Sequence, residues 1–121
     1  MKRIALLTLM VLVSITLFAQ KKVLIENKEE IHAEAIREIE QAMAAPEGSI
    51  YLFATSWGMK GEYKYDITIR EKGDVATVFS HGNTNGTIEN QNRMKDFLMT
   101  LDFDFKMPKG KYYKFTYTFK F

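Results

Sequence analysis

From residue 23 onward the apolar positions follow two periods, one near four and one of two, and these divide the chain into helices and strands. Ile31, Ala35, Ile39 and Ala42 recur at spacings of four, four and three, joined by Ile36 and Met43. This is the buried stripe of a helix over roughly 29–45. Asn27 stands where a cap belongs, Glu29 and Glu30 lie in the first turn, where the helix dipole favours negative charge, and Pro46-Glu47-Gly48 ends the run. Ile50–Trp57 reads as a strand that is apolar on both sides, with Ile50, Leu52 and Ala54 on one face and Tyr51, Phe53 and Trp57 on the other. Tyr63, Tyr65, Ile67 and Ile69 then alternate with Lys64, Asp66, Thr68 and Arg70, the pattern of a half-buried strand. Glu71-Lys72-Gly73-Asp74 is a turn, and Val75–Ser80 returns as the second arm of a hairpin.

His81-Gly82-Asn83-Thr84-Asn85-Gly86 is loop by composition. Thr87 caps a second helix, on which Met94, Phe97, Leu98 and Leu101 form the apolar stripe. Phe103 and Phe105 alternate with Asp102 and Asp104 as the chain becomes extended, and Met107-Pro108-Lys109-Gly110 turns it. The closing strand sets Tyr113, Phe115, Tyr117, Phe119 and Phe121 on one face and Tyr112, Lys114, Thr116, Thr118 and Lys120 on the other. The predicted order is α-β-β-β-α-β. That is an α+β fold: an antiparallel sheet of three to four strands with two helices packed on one face. Residues 29–121 form a single domain, and 20–28, with Val23-Leu24-Ile25, form a leader or a short first strand.

Residues 1–19 are set apart by a basic start at Lys2 and Arg3, the apolar run Ile4–Phe18, and Ala19 before a polar boundary. These are the three parts of a cleaved secretory signal. The run is shorter than the roughly 20 residues a membrane-crossing helix needs, so no stable anchor is expected after cleavage. The expected destination is the periplasm, with full secretion to the exterior as the alternative. The chain has 17 basic and 15 acidic residues, and removal of Lys2 and Arg3 leaves the mature part neutral. A neutral domain has no field to draw it to nucleic acid. There is no cysteine, which excludes disulfides, a catalytic thiol and thiolate metal sites.

Candidate chemistry is sparse. His32 lies on the first helix without the paired-histidine spacing of a metal site. His81 follows Ser80 directly, and neighbours on a strand point to opposite sides, so the two make no serine–base pair. Asp102 and Asp104 share one side of an extended segment, which reads as its solvated face. Asn85-Gly86-Thr87 matches a glycosylation tripeptide, although Asn-Gly is turn chemistry first. Neither an enzyme nor a cofactor is expected from these residues.

Residues 62–121 resemble the C-terminal domain of TonB- and TolA-type periplasmic proteins. The likeness lies in the alternating strand Tyr63–Ile69, the charged turn with Gly73, the return strand Val75–Phe79 and a helix running into Phe103, Phe105 and Pro108. An alternating last strand completes it. That family sets the domain behind a membrane anchor and a long proline-rich spacer. This chain has two prolines, Pro46 and Pro108, and resembles a stand-alone relative. The resemblance implies pairing of a partner's strand against the last strand of the domain, here Tyr112–Phe121. The expected function is therefore a periplasmic binding or adaptor domain that engages a segment of an envelope protein by strand addition, through Tyr112, Lys114, Thr116, Thr118 and Lys120. The alternative is a carrier of a small apolar ligand, or a homodimer, using Tyr51, Phe53 and Trp57 on the two-faced strand.

Overall fold

A computed structural model describes residues 21–121, so the expected signal peptide lies outside the described residues. Helix α1 spans Lys28–Met43. Asn27 opens it: its side-chain oxygen accepts from the backbone N–H of Glu29 at 2.8 Å and of Glu30 at 3.3 Å. These bonds satisfy donors that the first turn leaves without intrahelical partners. Ile31, Ala35 and Ile39 are buried, as their spacing predicts.

The segment expected to be the strand Ile50–Trp57 is instead helix α2, Ser49–Ser56. Ile50 and Ala54 satisfy both periods, being two steps of two or one step of four, so a run this short cannot choose between them. Burial shows which period the fold uses. Ile50 and Ala54 are buried while Leu52, which a strand would place beside them, is exposed. Gly48 makes the entry to α2 possible. Its N–H donates to Ala44 O at 2.8 Å, and a Cβ there would fall 2.3 Å from Ala42 O. Among the described residues there are therefore three helices, not two.

Strands β2 (Glu62–Arg70), β3 (Val75–Thr84) and β5 (Tyr112–Lys120) form an antiparallel sheet in the order β3-β2-β5. Helix α3, Ile88–Leu98, lies between β3 and β5 in the chain, capped by Thr87, whose hydroxyl accepts from Asn90 N–H at 3.1 Å. The short strands β1 (Val23–Leu24) and β4 (Phe105–Lys106) pair in parallel beside the main sheet. The architecture is α+β, as expected, with the sheet's apolar face under the helices and its other face open.

One correction concerns 81–84 of the segment 81–86, all of it expected to be loop. β3 runs on to Thr84, and the pairing steps from Tyr65↔Ser80 to Tyr63↔Asn83, so the strand takes in one extra residue around His81-Gly82. Gly82, at φ 103°, supplies the backbone conformation that this bulge needs. Composition read Gly82 and Asn83 as loop, whereas the sheet uses them to bend a strand; Asn85 and Gly86 lie past the strand's end and form the expected loop.

The core is one cluster. Tyr63, Tyr65, Ile67 and Ile69 of β2 meet Phe115 and Phe119 of β5, Ala35 and Ile39 of α1, Ile50 of α2 and Met94 and Leu98 of α3. Phe53 of α2 stacks on Phe97 of α3 with ring centres 4.2 Å apart. The two fully buried tyrosines of β2 keep their hydroxyls satisfied, Tyr63 donating to Lys60 O at 2.9 Å and Tyr65 to Gln91 O at 2.7 Å.

Candidate functional site: the outer edge of the last strand

β5 pairs with β2 over nine residue positions without a shift, from Arg70↔Tyr112 to Glu62↔Lys120. One step beyond, Phe121 N–H donates to Gly61 O at 2.9 Å and Gly61 N–H donates to Phe121 O at 3.4 Å. Residue pairs in an antiparallel ladder alternate between exchanging both bonds and exchanging none. The exchange at Phe121 therefore fixes the parity of the strand. Tyr113, Phe115, Tyr117 and Phe119 direct their N–H and C=O at β2. Tyr112, Lys114, Thr116, Thr118 and Lys120 direct theirs away from it, and among the described residues no strand pairs with that edge.

The other edge of the sheet is different. β3 carries two register irregularities, and α3 packs against it, with Asn83 Nδ2 donating to Gln91 Oε1 at 2.8 Å. Bulges and covering helices are common ways of disabling a sheet edge. β5 has neither a bulge nor a proline.

Side chains beside the outward amides are organised by the central strand. Asp66 sits at the middle of the open face, where it accepts the Thr116 hydroxyl at 2.5 Å from β5 and faces His81 Nε2 at 2.9 Å from β3. The Thr116 bond, then His81, holds the Asp66 carboxyl below the usual carboxylate range. Lys114 Nζ lies 3.8 Å from Asp66 Oδ2, and Lys120 Nζ lies 3.8 Å from Glu62 Oε1. Tyr112 is exposed at the start of the strand and Phe79 is exposed beside His81.

The other sites expected from sequence fare differently. Tyr51, Phe53 and Trp57 do not share a face. On helix α2 and its cap, Phe53 and Trp57 lie one turn apart and Tyr51 lies on another side. Phe53 is turned against Phe97, and Trp57 is half exposed, with the Arg93 guanidinium 4.1 Å over its ring. The two-faced apolar strand that the carrier reading needed is not there, because both of its faces belong to a helix. His32 Nδ1 meets the Tyr113 hydroxyl. Ser80 Oγ accepts from Gly82 N–H at 3.1 Å, while His81 Nε2 faces Asp66. Asp102 pairs with Lys22 at 2.6 Å, while Asp104 gives its backbone N–H to Glu38 Oε1 at 2.7 Å. Among the described residues no three acidic or histidine side chains gather as a metal site, and no helix is long and apolar enough to cross a membrane.

Two groups were not singled out from sequence. Asp66 looked like one more polar position of an alternating strand, and only the pairing of three strands makes it the hub of the open face. Glu38 lies off the apolar stripe of α1 by its spacing, a position the sequence does not mark. Its Oε2 is buried with no hydrogen-bond partner among the described residues, and burial raises its carboxyl above the usual range, with Glu34 adding like charge. No protein-family model, curated protein or solved structure matches this chain.

Proposed function

We propose that this is an exported docking domain of the periplasm, without catalytic activity, that takes up an extended segment of an envelope protein as a fourth strand beside β5. The reading rests on one observation above all: five alternate residues between Tyr112 and Lys120 that face outward on an unbulged strand whose other side is fully paired with β2. Unpaired N–H and C=O groups at a regular edge accept a visiting strand through backbone bonds, whatever its sequence, and side-chain pockets then select among visitors. The resemblance of residues 62–121 to the TonB-type C-terminal domain points to the same element.

Strand parity supplies a test that spares the fold. Thr116 and Thr118 aim their N–H groups outward, so proline at either position removes a donor to the visitor and no donor to β2. Both variants are expected to stay folded and to lose capture of envelope proteins. In the wild-type complex, the amides of Lys114, Thr116 and Thr118 should become protected from hydrogen exchange, while those of Phe115 and Tyr117 are protected already. A folded Thr118→Pro variant that still captures its partner overturns the reading.

A further inference from the structure

We infer that, without a visitor, the β5 edge pairs with the β5 edge of a second copy, antiparallel about Thr116, closing two three-stranded sheets into one of six strands. The inference rests on the docking reading, since it uses the same outward amides. It adds a resting partner that a visiting segment must displace.

The register follows from the residues. A two-fold axis at Thr116 sets Thr116 opposite itself, Lys114 opposite Thr118 of the second copy, and Tyr112 opposite Lys120 of the second copy. All five outward residues then find a partner, giving about ten backbone hydrogen bonds by the alternation of an antiparallel ladder. Neighbouring registers are worse. Moving the axis to Tyr117 puts Lys114 against Lys120 and leaves Tyr112 without a partner. Moving it to Phe115 leaves Lys120 beyond the other strand, opposite Gly110.

Charge and side-chain fit agree with this register. Lysines on an edge strand ordinarily repel a second copy. Here Asp66 and Glu62 of the central strand each stand 3.8 Å from one of the two ammonium groups and offset their charge. On the open face each lysine meets threonine or tyrosine, and lysine over a tyrosine ring is itself an attractive pairing. On the helix face Phe115 lies opposite Tyr117 of the second copy and Tyr113 opposite Phe119, aromatic cross-strand pairs of the kind that stabilise sheets. Tyr117 is only half-buried in the single chain, so this pairing gives it cover.

Because the chain has no cysteine, single cysteine variants read the register directly. Residues facing each other in such a ladder have Cα atoms about 5.5 Å apart, within disulfide reach. Thr116→Cys should therefore oxidise to a covalent dimer. Lys114→Cys alone should not, since two such positions are offset by four residues, about 13 Å along the strands. A mixture of Lys114→Cys and Thr118→Cys should cross-link to each other, which keeps the test independent of the Thr116–Asp66 bond.

The mass of the exported wild-type chain should double as its concentration is raised from micromolar to near-millimolar. Thr118→Lys, which sets lysine against Lys114, should weaken the dimer at least tenfold. A monomeric mass throughout, or cross-linking that ignores position, overturns the inference. If the chain is monomeric while Thr118→Pro still abolishes capture of envelope proteins, self-pairing fails and the docking reading stands. If Thr118→Pro changes neither mass nor capture, both fail.

Discussion

The Thr116 hydroxyl of β5 donates to Asp66 Oδ1 of β2 at 2.5 Å, and on the far side the same carboxylate faces His81 Nε2 of β3 at 2.9 Å. One acidic side chain thus ties all three strands of the sheet on its open face, beside the amides assigned to the visiting strand.

This tie makes stability depend on acid in a definite direction. The Asp66 carboxyl is held below its ordinary value, by the Thr116 bond first and His81 second. A depressed carboxylate contributes stability above its unfolded value, near pH 4, and that contribution is lost as pH falls through the folded value. Asp66→Asn should therefore lower Tm at neutral pH, with the gap to wild type closing as the pH falls below about 4. Thermal melts from neutral to acid pH measure it, and a gap independent of pH would contradict the assignment.

Glu38 should behave in the opposite sense. Burial raises its carboxyl, so its ionisation weakens the fold. The protonated group is at no disadvantage below the ordinary carboxylate value, and stability is lost as pH rises through the raised one. Glu38→Gln keeps an oxygen for the Asp104 N–H and removes the charge. It should raise Tm by a few degrees at about pH 7 and by nothing near pH 4, as read in the same melts.

Two substitutions distinguish helix α2 from the strand that its sequence suggests. Ile50 is fully buried and Leu52 is 52 % exposed. Ile50→Ala should cost about 2–5 kcal/mol in denaturant unfolding, the range for a buried large-to-small change. Leu52→Lys should stay within about 0.5 kcal/mol of wild type. In a strand the two residues would share a face and both substitutions would be costly.

The Asn27 cap yields a smaller effect. Asn27→Ala removes the acceptor for the Glu29 and Glu30 N–H groups and should destabilise by about 1 kcal/mol, seen as a drop in the denaturant midpoint with an unchanged slope. A loss near zero would mean that water serves the first turn equally well.

Legibility in the sequence followed the length of each pattern. Helix α1 repeats its stripe over 16 residues and has its own cap, and β2 and β5 alternate over nine residues each, so local chemistry had enough positions to declare a period. Ser49–Ser56 has only eight, with one unbroken apolar run from Ile50 to Ala54, and Ile50 with Ala54 fits either period. Gly82 and Asn83 signal a turn because their conformational freedom is the same in a turn and in a bulge. The candidate site was legible in part. The alternation of 112–121 identifies which residues share a face, and its place as the last strand suggested an edge.

The sequence by itself determined the periods of the longer elements, the caps and the α+β composition, because these depend on interactions within a few residues along the chain. Only the tertiary structure decided that β2 lies in the middle, that β5 keeps one side unpaired among the described residues, and that Asp66 joins strands from three parts of the chain. Those are contacts between distant segments, and strand order leaves no mark on the alternation of a single strand. The same holds for the parity that aims Thr116 and Thr118 outward, which was settled at Gly61 and Phe121, outside the ladder itself.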